Sequence, residues 1–137
     1  MSIDPARLEE SQRGFLPGLL GVRFVEVTRD RVVAELTIRD DLRTSGGRLH
    51  GGTLMALADT VGATATVVNL PPDTWTTTLE SKTNFFAAGG QGTVRAEATP
   101  LHRGRRTMVW QTRVTDAAGR LLSLTIQTQM VLPAEKD

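Results

Sequence analysis

Asp59 is the residue best placed to do chemistry. It is the only Asp, Glu, Lys or Arg between residues 49 and 71, LHGGTLMALADTVGATATVVNLP. Its neighbours at helical spacing, Met55, Ala56, Gly62, Ala63 and Thr66, are small or apolar. No Lys or Arg stands three or four residues away to pair with it. Ionised carboxylates are rarely buried without a partner or a purpose. Enclosed here, Asp59 is a candidate functional acid. The alternative is an acid at a cleft mouth, or one paired with an Arg from another strand.

Nine residues before it stands His50, followed by Gly51 and Gly52. The first N–H groups of a helix lack internal partners, and the helix dipole is positive there. Glycine lets a ligand approach the backbone, which suits a carbonyl oxygen that becomes an oxyanion. The same glycines could simply make the turn into the helix. His50 is a candidate catalyst, but also a candidate helix cap. A third cluster, Arg103, Arg105 and Arg106 around Gly104, offers planar guanidinium forks for phosphate. Its plain reading is a solvated basic hairpin tip.

Other chemistries are excluded or unsupported. The chain has no Cys, so disulfides, thiolate nucleophiles and Cys-ligated zinc are out. No G-x-S-x-G is present, and two distant His residues give no metal signature. Sixteen basic and fifteen acidic residues give a net charge of +1, with no general pull toward nucleic acid or a membrane surface. The N-terminus lacks the basic and apolar regions of a signal peptide, so a cytoplasmic location is expected.

The elements that must hold these residues follow from periodicity. Leu54, Leu57, Val61, Ala65 and Val68 recur at spacings of three and four, predicting a helix over residues 49–71 with one core stripe. Pro71 and Pro72 stop it. Its other faces carry Ala, Gly, Thr and Met, so it is predicted to be buried on all sides. That composition and Asp59 argue against a membrane span. A short helix is expected over residues 5–13, then a turn at residues 15–18 tucking Phe15 against the core. Strands are expected over residues 22–28, over 32–38 with Val32, Ala34, Leu36 and Ile38 inward, over 73–86, and over 93–101 with Val94, Ala96 and Ala98 inward. Two more follow, one burying Met108, Trp110, Thr112 and Val114, the last burying Leu122, Leu124, Ile126, Thr128 and Met130. The 137 residues thus predict a single α+β domain, residues 1–137, with an antiparallel sheet of about six strands and one long helix.

That order of elements, with His50-Gly51-Gly52 followed by Leu57-Ala58-Asp59, resembles the hotdog-fold acyl-CoA thioesterases, most of all the PaaI-like branch. The resemblance implies a sheet wrapped around a central helix, and hydrolysis of an aryl- or medium-chain acyl-CoA thioester. It implies Asp59 as general base or nucleophile and the Gly51 N–H as the group polarising the thioester carbonyl. Thr44 occupies a position often held by Asn or Gln, where a hydroxyl can hold water or a carbonyl oxygen. Thr78 falls near a Ser or Thr supplied by the partner subunit. His50 and Gly52 complete the substrate-binding turn, and Arg103, Gly104, Arg105 and Arg106 match a basic hairpin that meets the CoA nucleotide. Coenzyme A enters as substrate, and neither a separate cofactor nor a metal is implied. Sites shared between subunits imply a homodimer, commonly paired into a homotetramer. The rival readings are an acyl-CoA-binding module without hydrolysis, and dehydratase or hydratase chemistry on a β-hydroxyacyl or enoyl thioester.

Overall fold

The computed structural model describes residues 3–135. Its elements are α1 (Pro5–Gln12), α2 (Leu16–Leu20), β1 (Arg23–Val27), β2 (Val32–Thr37), α3 (Gly51–Val67), β3 (Thr74–Phe85), β4 (Thr93–Arg103), β5 (Thr107–Thr115) and β6 (Leu121–Pro133). All strands join one antiparallel sheet in the order β1-β2-β4-β5-β6-β3. After β2 the chain forms α3, lays β3 at the far edge, and returns to place β4 beside β2. The long helix packs across the inner face of this sheet, as in a hotdog fold.

Local chemistry explains the helix ends. Asp4 caps α1 by accepting the Ala6 N–H at 3.0 Å, with Pro5 in the first turn, where no intrahelical donor is needed. At the far end of α3, the Asn69 amide donates to Ala65 O at 2.8 Å and to Arg29 O at 2.9 Å. That side chain ties the helix terminus to the turn between β1 and β2.

The core stripe of α3 is the expected one: Leu54, Leu57, Val61, Ala65 and Val68 are all buried. They face Val32, Ala34 and Leu36 of β2, Val94, Ala96 and Ala98 of β4, and Met108, Trp110 and Val114 of β5. Within one chain, however, α3 is not covered all round. Met55, Asp59 and Val67 lie on an open stripe, with Met55 41 % and Val67 52 % exposed. The bland composition of the helix reflects small side chains that leave this face low, rather than enclosure. Phe15 is also not tucked in: it precedes α2 and stands exposed.

The largest departure is in β6. Leu122 is buried as expected, but from there the burial runs through Ser123, Thr125, Gln127 and Gln129. Ile126 is exposed, and Leu124, Thr128 and Met130 are partly so, on the outer face. The cause is a β-bulge. Val114 pairs with Ser123 while Thr115 pairs with Leu121, so Leu122 is an extra residue. One extra residue reverses the two-residue alternation beyond it. A polar strand face therefore lies beneath the helix.

Candidate active site

Asp59 sits midway along α3 on its open stripe, exposed to solvent rather than enclosed. It reaches the sheet all the same. The Thr78 hydroxyl on β3 donates to Asp59 Oδ1 at 3.4 Å, and the Gln127 amide on β6 donates to the same oxygen at 3.4 Å. Thr78 and Asp59 meet within one chain, whereas the resemblance implied a hydroxyl from the partner. Behind Thr78 lies Gln129, whose Nε2 donates to Thr78 Oγ1 at 2.7 Å, and Gln129 Oε1 accepts from Thr76 Oγ1 at 3.0 Å. Thr76, Gln127 and Gln129 were not singled out from the sequence. The available signal was a second alternating set on the last strand, Thr125, Gln127 and Gln129, in counterphase with the apolar one.

The helix entrance is built around His50. Its Nδ1 accepts the Gly52 N–H at 2.8 Å, and its carbonyl accepts the Thr53 N–H at 2.9 Å. His50 is thus the N-cap, and Gly52 is its partner. The Gly51 N–H has no acceptor among the described residues and is left as the donor of the first turn. A side chain at Gly51 would meet the Phe85 ring at 3.2 Å, so the glycine lets that ring lie against the helix entrance. Thr44 is not gathered with these groups. Its hydroxyl accepts the Gly46 N–H at 3.2 Å and its carbonyl the Gly47 N–H at 2.9 Å, closing its own turn.

The basic cluster divides. Arg103 Nη1 donates to Arg29 O at 2.9 Å and to Asp30 Oδ1 at 2.8 Å, pinning the β4–β5 hairpin to the β1–β2 turn. Gly104 allows the tight bend, where a Cβ would lie 2.5 Å from His102 Nε2. Arg105 and Arg106 are exposed, with no ion pair among the described residues, and border a shallow cleft with Thr74 and Met130. A cleft of about 660 Å³ is lined by Arg29, Asp30, Asn69 and Arg103 at the far end of α3, and does not include Asp59. The cleft that does include Asp59 is about 360 Å³. It runs between α3 and the N-terminal helices and is mainly apolar, with Leu8, Leu16, Ala63 and Val67 in its walls.

Residues 46–123 match the family model of the thioesterase superfamily. The chain is 30 % identical over 119 residues to the 1,4-dihydroxy-2-naphthoyl-CoA hydrolase of Escherichia coli (strain K12), spanning 87 % of this chain and 88 % of that one. A solved structure of a mutant thioesterase from Pseudomonas aeruginosa superposes with a TM-score of 0.93 at 28 % identity, covering 97 % of this chain and 96 % of that one. The PaaI protein of the E. coli phenylacetic acid degradation operon shares the fold, with a TM-score of 0.85 at 20 % identity over 95 % of this chain and 92 % of that one.

Proposed function

This chain belongs to the thioesterase superfamily, and from that premise we propose that it hydrolyses an aryl- or medium-chain acyl-CoA thioester at Asp59. The observation that carries this reading is Asp59 itself: a carboxylate held by two donors at the edge of a small apolar cleft. The cleft would take the acyl group. Asp59 would remove a proton from water as its oxygen bonds to the thioester carbon, or attack that carbon directly to form a mixed anhydride. In either case the C–S bond breaks and CoA leaves as a thiolate that is then protonated; on the second route water then cleaves the anhydride, releasing the acid and restoring the Asp59 carboxylate. The Gly51 N–H, at the positive end of the α3 dipole, would take the developing oxyanion. By capping Gly52, His50 leaves that donor free. Arg105 and Arg106 would meet the CoA phosphates, while Arg103 fixes their hairpin.

One chain does not complete this site. Gly51 and Asp59 are eight residues apart, so they lie about 12 Å apart along the helix axis at ~1.5 Å per residue. One carbonyl cannot touch both. A second copy resolves this if Gly51 of one subunit faces Asp59 of the other. β3 supplies the means: it is a sheet edge, 12 residues long, carrying exposed Trp75, Leu79 and Phe85. A long apolar edge of this kind invites pairing with another strand. We therefore assign a homodimer joined through β3, with further pairing to a tetramer as the assembly expected of the branch.

The test is thiol release from phenylacetyl-, benzoyl-, hexanoyl- and palmitoyl-CoA. Wild type should cleave one of the first three best, and Asp59→Ala should release thiol on the order of a thousandfold more slowly. Full activity in Asp59→Ala overturns the mechanism. The shared site has its own test. Gly51→Pro removes the N–H at a helix position that tolerates proline. Mixing this variant with Asp59→Ala, after dissociation and reassembly, should restore about a quarter of wild-type activity, because half the dimers carry one intact site. No recovery in verified mixed dimers would place both groups in one chain's site.

A further inference from the structure

Gln127 and Gln129 are each 1 % exposed, on a strand that could have carried Leu or Val beneath the helix. A buried primary amide brings two donor hydrogens and an acceptor out of water, and each unpaired group costs stability. The chain tolerates this cost, and the direction of the hydrogen bonds indicates why.

An ionised carboxylate only accepts. Thr78 must therefore point its proton at Asp59 Oδ1, which leaves its oxygen to accept. Gln129 Nε2 fills that role at 2.7 Å, and this fixes the Gln129 amide with its oxygen toward the Thr76 hydroxyl. The series runs one way, Gln129 to Thr78 to Asp59, and behind it the one Thr76 hydroxyl proton lies 3.0 Å from both Gln129 Oε1 and Met130 O. Gln127 reaches the same oxygen without an intermediary. Its own Oε1 is buried with no partner. Turning the amide over would aim that oxygen at the carboxylate, so the amide sits with its N–H end toward Asp59 and its other end unsatisfied. α3 makes room for it: a Cβ on Gly62, three residues after Asp59, would lie 2.1 Å from Gln127 Oε1. Both bonds converge on Oδ1, and no hydrogen bond among the described residues uses Oδ2.

We propose that Gln127 and Gln129 are positioning residues for the hydrolysis: Gln127 directly, and Gln129 through Thr78, hold Asp59 by Oδ1 and leave Oδ2 as the oxygen that meets water or the thioester carbon. The proposal deepens the hydrolase reading and rests on it for its kinetic consequence. Thr78 becomes part of the carboxylate's mounting rather than a group that touches substrate.

The test uses Gln127→Leu, Gln129→Leu, Thr78→Val, Gly62→Ala and the Gln129→Leu/Thr78→Val pair. Gln127→Leu and Thr78→Val should each lower kcat about tenfold with KM nearly unchanged, the size expected for a lost hydrogen bond to a charged group, and Gln129→Leu about fivefold, because its bond is to the neutral Thr78 hydroxyl. Gly62→Ala displaces the Gln127 amide without altering it, and should reproduce the kcat of Gln127→Leu. The paired variant should be no slower than Thr78→Val alone, because Gln129 acts through that hydroxyl. Losses that multiply, or a raised KM with kcat intact, would overturn the assignment. So would variants that lose thermal stability while kcat holds. A second readout does not depend on turnover. The side-chain amide NMR signals of Gln127 and Gln129 should both shift in Asp59→Ala, and unmoved signals overturn the proposal. If those signals shift while no CoA ester is cleaved by wild type, the mounting stands and the hydrolase reading falls.

Discussion

The sheet beneath α3 has two halves built on different chemistry. Under one side of the helix, β2, β4 and β5 present Val32, Ala34, Leu36, Val94, Ala96, Ala98 and Trp110, all buried and all apolar apart from the Trp indole. Under the other, β6 presents Ser123, Thr125, Gln127 and Gln129, equally buried and all polar. Burial alone therefore does not say what a residue is for. The apolar half gains free energy from every area it removes from water. The polar half gains little, and what it returns is direction: Gln127 and Thr78 point at one carboxylate oxygen. One helix serves both, with Leu57 and Val61 facing the apolar half and Asp59 facing out over the polar one.

Substitutions should split along this line. Asp59→Ala should reduce thiol release by on the order of a thousandfold, about 4 kcal/mol of barrier. The side chain itself is exposed, and the main cost is the buried Gln127 amide left without its acceptor, so urea unfolding should change by about 1 kcal/mol. A large stability loss would erase the distinction between the halves. Leu57→Ala is the mirror case. It leaves a cavity against β2 and β4, and should cost roughly 3 kcal/mol in unfolding free energy. Activity per folded molecule should persist, and a matching fall in kcat would show that the halves are coupled. Thr125→Val is smaller. It breaks the 2.7 Å hydroxyl pair with Thr83, a bond joining β6 to β3. It should cost about 1 kcal/mol by chemical denaturation, with kcat unchanged.

The smallest effect lies outside both halves, at the β5–β6 hairpin. The Arg120 backbone N–H, then that of Ala118, hold the Asp116 carboxyl below the usual carboxylate range. A carboxyl depressed on folding adds stability above its unfolded value, and loses it as pH falls through the folded one. Hairpin amide protection, followed by hydrogen exchange, should therefore weaken on acidification below the ordinary carboxylate range. Asp116→Asn should flatten that dependence, and an unaltered profile would place its origin elsewhere.

Most of this architecture was legible in the sequence because apolar periodicity reports burial directly. The α3 stripe and the inward faces of β2, β4 and β5 follow from spacing alone. The inward face of β6 did not follow. Its alternation was plain, but the bulge at Leu122 decides which set faces the helix, and that depends on register against β5. The candidate site drew notice by its residue types, while its geometry was hidden. Asp59 stood out by its isolation, yet its donors come from β3 and β6, far away in the chain. Gly51 stood out by its motif, but a spacing of eight along a helix already sets it apart from Asp59 within one subunit. Thr44 was read by position in a motif, and its hydroxyl accepts the Gly46 N–H of its own turn while keeping its proton to donate.

The extra residue at Leu122 also bears on how such a site could arise. Because one inserted position exchanges the two faces of β6, gaining or losing the amide floor requires no change of side chain. A single-codon deletion at the hairpin would turn Leu124, Ile126 and Met130 inward and carry both glutamines to the outer face. The same strand sequence thus encodes either an inert scaffold or a mounted carboxylate, and its length at one point selects between them.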